Sequence, residues 1–424
     1  MSIFQRVDRS PDWNQLCPEW YIDFDAPQPR RRWEFNVNKH DVAVNEKVVF
    51  TAKLFEDDCI LAGEPVKLTL TRDFHDNETW EAVTTKEGLR VETSLEKPGF
   101  LRLMAEAKGA SRAYGAAVDA AQIEPAPEVE GFAEYWNGRI QALHGTPLEV
   151  KKYNRVHPAE ESEYPGTETY SVSVTCAGPH PVEGLLSLPS NATPGSLPAY
   201  LFLHGAGIRP PFPPLPWAKL GALAFNISAL AIPWETTAEE LAQFKKTYAG
   251  YPQIAPENPL DSPFDGMALR VLRALEYLKS RPEWDHKHLV VHGGSQGGWQ
   301  SLVATAFDHD VTYAQIEAPA QCNVAGALQG RTPSWPGSIQ KNSGDTPRTR
   351  ILRLFDGTSF ARHSVAPVVF TSGYSDGAAV PSSIYATYNA YAGKQKTFWA
   401  FPDLGHELAV FWSGATFIRE HLGI

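Results

Sequence analysis

The fold of this chain is decided by the stretch Leu289-Val290-Val291-His292-Gly293-Gly294-Ser295-Gln296-Gly297-Gly298. An apolar run leads into it, and a helical pattern from Trp299 to Ala304 leaves it, so the stretch predicts a strand, a sharp turn and a helix. Glycines on both sides of the serine let strand and helix approach closely and leave the hydroxyl exposed. We interpret it as a nucleophile elbow with Ser295 as the nucleophile. The alternative is a glycine-rich loop whose serine only caps the helix.

Length and composition limit the possible partners of the chain. Its 424 residues are too many for one ordinary domain, and 43% of them are hydrophobic, so we expect two globular domains. The net charge of -11 argues against nucleic acid and against an anionic membrane, because both bind basic surfaces. The sequence has no apolar run of about 18 residues and no apolar core in a leader at Met1 to Arg6. We therefore expect a cytoplasmic protein without a membrane span or a signal peptide.

The composition and hydrophobic pattern of the sequence predict four segments. Residues 1–32, with Trp13 and Trp20 among prolines, are interpreted as an N-terminal arm. Residues 33–123 contain short alternating runs such as Val66 to Thr71, which predict a small antiparallel β-sandwich of immunoglobulin type. The proline-rich residues 124–130 are interpreted as a linker. Residues 131–424 are the predicted catalytic domain.

The catalytic segment alternates between strand and helix patterns. A helix is predicted from Phe132 to Leu143, and an amphipathic helix passes through Leu269, Leu272, Leu275 and Leu278. Short apolar runs of the kind found in a covered parallel sheet are Tyr200 to Leu203, Ala229 to Ile232, Leu289 to Val291, Ala314 to Ile316 and Val368 to Phe370. This alternation indicates an α/β fold with a mostly parallel sheet flanked by helices.

A serine nucleophile needs a base, and the base needs an acid that orients it, in the chain order serine, acid, histidine. Asp376 follows the strand pattern that begins at Val368, and His406 follows the strand pattern from Thr397 to Phe401. Both lie in loops at the carboxyl ends of strands, where sites form in open α/β sheets. Asp403 and Glu407 are rival acids, but they are so close to His406 in sequence that capping or loop roles suit them better.

The predicted reaction also requires two backbone donors for a developing oxyanion. The first is the amide of Gln296, the residue after the nucleophile. The second is expected in the loop Leu203-His204-Gly205-Ala206-Gly207, with Ala206 as the donor. His204 precedes the serine in sequence and is interpreted as a loop-shaping residue rather than as the base. No metal cluster, phosphate loop or dinucleotide motif is visible in the sequence, so we expect neither metal nor cofactor.

From about Phe132 onward the chain resembles carbohydrate esterase family seven, the acetyl xylan esterase and cephalosporin C deacetylase family. The matching stretches are Phe132-Ala133-Glu134-Tyr135-Trp136, His204-Gly205, the elbow, Phe355-Asp356, Phe360-Ala361-Arg362, Ser375-Asp376, Tyr388-Asn389 and Gly405-His406-Glu407. The resemblance implies an α/β-hydrolase fold with Ser295 as nucleophile, Asp376 as acid and His406 as base. Two departures are Pro233-Trp234-Glu235, where the family usually has Arg-Gly-Gln, and Ala206, where it usually has an aromatic residue.

The expected activity is hydrolysis of acetyl or other short acyl esters of a carbohydrate or similar alcohol, through an acyl-enzyme. The expected partner is a small-molecule or oligosaccharide ester, and the chain could form a homo-oligomer. Alternatives are a serine peptidase of the prolyl oligopeptidase type, an acyl thioester hydrolase or acyltransferase, and a catalytically silent carbohydrate-binding protein. Candidate aromatic walls of the substrate site are Trp299, Tyr374, Trp234, Phe212 and Trp217.

Overall fold

A computed structural model describes residues 30–254, 256–407 and 415–424. The predicted arm therefore lies outside the described residues for its first 29 positions, and its last two residues, Arg31 and Arg32, belong to the first strand. None of the described helices is long and apolar enough to span a membrane.

The N-terminal part consists of two β-sheets that share one core. One sheet joins β1, β3, β4 and β7, and the other has the order β2-β9-β8-β5-β6. The strands are β1 (Arg31–Val37), β2 (Asp41–Val42), β3 (Val48–Glu56), β4 (Cys59–Ile60), β5 (Pro65–Arg72), β6 (Glu78–Val83), β7 (Leu89–Thr93), β8 (Gly99–Ala107) and β9 (Ala110–Val118). Apolar residues at alternate positions of β3, β5 and β8 point into this core, which includes Trp33, Phe50, Leu68 and Leu103. The pairing is antiparallel except between β2 and β9, which are parallel and so depart from the purely antiparallel prediction.

The second part is built on a nine-stranded sheet of order β10-β11-β12-β14-β13-β15-β16-β17-β18. Pairing is antiparallel from β10 to β14 and parallel from β14 to β18. The strands are β10 (Val150–Val156), β11 (Thr167–Val174), β12 (Val182–Pro189), β13 (Leu197–Leu203), β14 (Leu223–Ile227), β15 (Trp284–Gly294), β16 (Tyr313–Glu317), β17 (Val368–Gly373) and β18 (Lys396–Phe401).

Helices cover both faces of this sheet, as the alternation of patterns predicted. They are α1 (Phe132–His144), α2 (Leu215–Lys219), α3 (Ala238–Thr247), α4 (Pro263–Ser280), α5 (Gln296–Phe307), α6 (Pro347–Arg353), α7 (Gly357–His363), α8 (Pro381–Ala390) and α9 (Ala415–Leu422). Leu201 and Val291 on one face pack with α4, whereas Tyr200 and Val290 on the other face pack with α2 and α9. This crossed order of strands with helices on both sides is an α/β-hydrolase-type fold, and it places the carboxyl ends of β15 to β18 along one edge.

One predicted strand is wrong. The sequence pattern placed a strand at Ala229 to Ile232, but the strand at this point of the sheet is β14, which ends at Ile227. Leu223 pairs with Ala199 and Ile227 with Leu203, so alignment with β13 selects the earlier half of a long apolar stretch. The later half turns away from the sheet, and Ala231 has a φ of 56° that a strand does not allow.

Candidate active site

The elbow, residues 293–298, has the sharp strand-to-helix turn that the sequence predicted. Ser295 lies between β15 and α5 with φ 56° and ψ -121°, an unfavourable conformation for a residue with a side chain. Its N–H donates to the carbonyl oxygen of Glu317 over 2.9 Å. A Cβ built on Gly297 would lie 1.9 Å from the carbonyl oxygen of Leu203, so only glycine fits there. The turn is therefore fixed by backbone packed against backbone.

Ser295, His406 and Asp376 form one hydrogen-bonded row. The Ser295 Oγ lies 3.0 Å from His406 Nε2, and His406 Nδ1 lies 2.8 Å from Asp376 Oδ2. An ionised carboxylate only accepts, so the proton of the neutral ring sits on Nδ1 and leaves Nε2 free to accept from the serine hydroxyl. The Asp376 side chain is fully buried and that of His406 is 36% exposed. His406 is therefore the most exposed member of the row, since Ser295 is only 8% exposed.

The topology of the sheet explains why these three residues meet. Ser295 follows β15, Asp376 follows β17 and His406 follows β18, and the carboxyl ends of these parallel strands share one edge. Asp376 lies in a turn that leads into α8, and its Oδ1 accepts from the N–H groups of Ala378 at 2.7 Å and Ala379 at 3.0 Å. Both oxygens of this buried carboxylate therefore have donors. We call residues 374–382 the acid turn.

Two opposing effects act on the pKa of His406. Burial lowers it, while the hydrogen bond and the negative charge of Asp376, with a further contribution from Glu407, raise it. The net effect raises the pKa of His406 above its ordinary value. The ring therefore holds a proton more readily than a free imidazole, and its role as a general base stays a prediction.

The rival residues have other partners. Glu407 accepts the N–H of Gly405 over 2.8 Å, so it closes its own loop. His204 Nε2 accepts the N–H of Ala229 over 3.1 Å, which leaves its Nδ1 to donate to the carbonyl oxygen of Gly205. Burial, aided by the charge of Arg209, lowers the pKa of His204 to about 3, so this ring stays neutral. These contacts fit the predicted capping and loop-shaping roles.

The loop that carries Ala206 passes beside the elbow. A Cβ built on Gly205 would lie 3.6 Å from the Cβ of Ser295, and Ala206 itself is exposed. Gln296 is the first residue of α5, so its N–H has no acceptor one turn earlier in the helix. Both expected oxyanion donors therefore lie in backbone next to Ser295, and their role in binding an oxyanion stays a prediction.

Tyr251 connects the side chain of Gln296 to the backbone of the loop that carries Ala206. Its hydroxyl donates to Gln296 Oε1 over 2.6 Å and accepts the N–H of Gly207 over 3.3 Å. The side chain is buried, and burial raises its pKa to about 12, so the hydroxyl keeps its proton. No motif in the sequence marks this residue.

Three of the five candidate aromatic walls are wrong because their rings are buried. Trp299 is 0% exposed, and its Nε1–H donates to the carbonyl oxygen of Phe355 within the helix-covered core. Tyr374 is 1% exposed and packs against Phe100 of β8, with ring centroids 5.0 Å apart. Trp217 is buried against Tyr200 in the core on the other face of the sheet. None of the three can line a solvent-accessible pocket.

The other two candidate walls, Trp234 and Phe212, are only partly buried. Trp234 is partly buried, and its neighbour Glu235 forms an ion pair with Lys152 of β10 over 2.8 Å. This part of the loop therefore lies toward the edge of the sheet opposite to β18, and a substrate-binding role for Trp234 stays a prediction. Phe212 is partly buried and packs edge-on against Phe202.

Comparison with known proteins identifies the family. The acetyl xylan esterase (AXE1) family matches residues 122–419, which is well over half of the chain. The acetyl esterase Axe7A of Xylanibacter ruminicola is 27% identical over 325 residues, which cover 72% of this chain and 71% of that protein.

Two solved structures agree with this match. An acetyl xylan esterase from a Paenibacillus species is 25% identical with a TM-score of 0.59, and the match covers 71% of this chain and 95% of that one. Acetyl xylan esterase 1 from a Thermoanaerobacterium species shares the fold at 18% identity with a TM-score of 0.57, over 72% of this chain and 96% of that one. The chain therefore belongs to the acetyl xylan esterase family.

Proposed function

We propose that this protein is a serine esterase that removes acetyl groups from a carbohydrate or similar alcohol. In this proposal Ser295 is the nucleophile, His406 the general base and Asp376 the acid that orients the base. The observation that carries it is the hydrogen-bonded row from Ser295 through His406 to Asp376, with distances of 3.0 and 2.8 Å. Membership of the acetyl xylan esterase family supports the same reaction.

In the first half of the proposed reaction, the Ser295 oxygen attacks the acetyl carbonyl carbon while Nε2 of His406 takes the hydroxyl proton. The negative charge of buried Asp376 stabilises the imidazolium that forms. The tetrahedral intermediate then collapses, the bond to the sugar oxygen breaks, and His406 returns the proton to that oxygen. The products of this half are the free alcohol and an acetyl-serine ester.

The oxyanion of the intermediate requires donors that are already in place. We propose that the N–H groups of Gln296 and Ala206 supply them. The Tyr251 hydroxyl supports this arrangement because it bonds both to the Gln296 side chain and to the backbone next to Ala206. In the second half, a water molecule loses its proton to His406 and attacks the acetyl-serine. Acetate leaves, and the serine recovers its proton.

Release of acetate from a panel of acetylated oligosaccharides tests the substrate class, and the p-nitrophenyl esters with acyl chains of two, four and six carbons test the acyl pocket. We expect kcat/KM for the acetate to exceed that for the butyrate by at least about tenfold, which is about 1.4 kcal/mol in transition-state binding. Equal or rising values with chain length would refute the acetyl specificity and favour a broader esterase.

Two further assays separate the alternatives. Hydrolysis of an acyl thioester faster than of the acetyl esters would favour the thioesterase alternative. Faster hydrolysis of a peptide would favour the peptidase alternative. Labelling of Ser295 by a fluorophosphonate separates an active serine hydrolase from a silent binding protein, because only an activated serine reacts with this probe. Ser295→Ala provides the matched unlabelled control.

A further inference from the structure

The N-terminal strands contact the acid turn at both of its ends. At the first end, the Nε–H of Arg102 in β8 donates to the carbonyl oxygen of Ser375 over 2.7 Å, directly before Asp376. At the other end, the Ser382 hydroxyl donates to Oδ1 of Asp73, the residue after β5, over 3.0 Å. Both contacts come from sequence that precedes the family match at residues 122–419.

The guanidinium of Arg102 also lies against the residue that follows Asp376. A Cβ built on Gly377 would lie 3.2 Å from both Cζ and Nη2 of this arginine. Arg102 therefore contacts the residues on either side of Asp376 in sequence. The guanidinium can lie this close because Gly377 has no side chain.

Close backbone packing adds to this contact at Gly115 of β9. A Cβ built on this glycine would lie 2.3 Å from the carbonyl oxygen of Tyr374, so the strand and the acid turn touch directly. The N–H of Gly115 donates to the carbonyl oxygen of Pro402 over 3.3 Å, in the loop that leads to His406. The Tyr374 hydroxyl donates to Oδ1 of Asp41 over 3.0 Å. The loops of both triad partners of Ser295 thus border the N-terminal strands.

Asp73 makes the second anchor a buried one. Besides the Ser382 hydroxyl, its carboxylate accepts the N–H of Phe100 over 3.1 Å and an Nη1 hydrogen of Arg331 over 3.3 Å. Burial raises the pKa of Asp73, whereas the charge of Arg331 opposes this rise. A carboxylate with this many donors ties β5, β8 and α8 together.

We propose that the N-terminal strands position the acid of the triad, with Arg102 as the positioning residue that fixes the backbone on both sides of Asp376. This inference rests on the proposed role of Asp376. It gives the N-terminal strands a part in the reaction, although these strands precede the residues that the family matches.

Arg102 also contributes electrostatically. Burial lowers its pKa, and the charge of Asp376 opposes this effect. The guanidinium remains charged at all working pH values. His406 faces the negative charges of Asp376 and Glu407. Removal of the arginine charge would leave Asp376 less compensated, so the imidazolium of His406 would become more stable.

The test compares Arg102→Met, Arg102→Lys and the control Arg90→Met, with kcat, KM and the pH profile of kcat/KM measured on p-nitrophenyl acetate. Arg90 lies in β7 of the other N-terminal sheet, with its side chain exposed and paired to Glu92. We expect Arg102→Met to lower kcat about tenfold with little change in KM, and to move the acidic limb of the profile up by roughly half a pH unit. Arg102→Lys keeps the charge, so its limb should stay in place while kcat falls through loss of the planar contact with Gly377. Arg90→Met should match the unmodified protein.

The same variants are labelled with a fluorophosphonate, and their folding is followed by circular dichroism. Labelling reports activation of Ser295 for any natural substrate, so an unmodified protein that labels but releases no acetate contradicts only the proposed deacetylation. A folded Arg102→Met variant with the kcat, labelling rate and acidic limb of the unmodified protein would overturn the positioning role. If Arg102→Met fails to fold, Arg102→Lys decides: a reduced kcat and labelling rate support the role, and unchanged values overturn it.

Discussion

The contacts that fix Ser295 in the elbow come from neighbouring strands of the nine-stranded sheet, through the carbonyl oxygens of Glu317 and Leu203. The acid turn, by contrast, is also held from the N-terminal part, by Arg102 of β8 and by Asp73, the residue after β5. Ser295 is therefore fixed within the sheet that carries it, whereas the acid turn is also held by sequence some 273 residues away. We therefore expect the proposed nucleophile to depend on the nine-stranded sheet alone, and the proposed acid to depend also on how two parts of the chain pack.

The largest effect is expected at the elbow itself. Ser295→Ala removes the nucleophile but none of the backbone contacts that shape the turn, so the protein should fold and lose about a millionfold in kcat. Hydrolysis of p-nitrophenyl acetate, with circular dichroism to monitor folding, measures this loss. Retention of even a tenth of the activity would show that another group is the nucleophile.

The next largest effect is expected in the acid turn. Asp376→Asn should lower kcat by about ten-thousandfold with little change in KM, because an amide neither holds the reactive tautomer of His406 nor stabilises its imidazolium. The matched control is Asp403→Asn, an exposed aspartate in the loop before His406 that should keep nearly full activity. A large loss in the control and not in Asp376→Asn would reverse the assignment of the acid.

These two positions also show how far sequence could lead. The elbow could be predicted because strand, glycines and helix are contiguous, and the order of serine, acid and histidine then directed attention to Asp376 and His406. Packing between distant segments could not be predicted in this way. The prediction of Tyr374 as a pocket wall is wrong because its ring is covered by Phe100 of β8. The prediction of Trp299 as a pocket wall is wrong for a similar reason, because α5 is covered on all sides and its fourth residue faces the core.

Two glycines, one packed in the elbow and one packed against the acid turn, allow the same substitution to be compared in both regions. A Cβ at Gly297 would meet the carbonyl oxygen of Leu203 at 1.9 Å, and one at Gly115 would meet that of Tyr374 at 2.3 Å. Gly297→Ala forces apart strand and helix inside the elbow, so we expect at least a hundredfold loss of kcat together with destabilisation beyond the usual cost of about 1–3 kcal/mol for overpacking.

Gly115→Ala instead displaces the acid turn relative to the N-terminal strands. We expect a folded protein with a smaller loss of kcat, because the elbow and its oxyanion donors keep their geometry. Thermal unfolding and fluorophosphonate labelling of both variants measure these outcomes. Equal effects of the two substitutions would contradict the view that the two regions are fixed independently.

The pH profile of kcat/KM tests the role of His406, which contacts both Ser295 of the elbow and Asp376 of the acid turn. Only the neutral ring accepts the serine proton, so kcat/KM should fall about tenfold for each pH unit below the pKa of His406. Because Asp376 and Glu407 raise that pKa, half of the maximal rate should be reached above the ordinary histidine value of 6.5. Glu407→Gln should move this midpoint down slightly. A flat profile from acidic to neutral pH would exclude His406 as the base.

The smallest expected effect concerns Tyr251, and it tests whether the elbow depends on a contact from outside the nine-stranded sheet. Tyr251→Phe leaves the ring in place but removes the hydroxyl that joins Gln296 Oε1 to the N–H of Gly207. Loss of one direct oxyanion donor costs about a hundredfold to a thousandfold, and Tyr251 acts only through the backbone that carries such donors, so we expect roughly a fivefold lower kcat with unchanged KM. Tyr248→Phe, a partly buried tyrosine of the preceding turn, is the control and should be neutral. A loss of a hundredfold or more in Tyr251→Phe would mean that the elbow, like the acid turn, depends on a support outside the nine-stranded sheet.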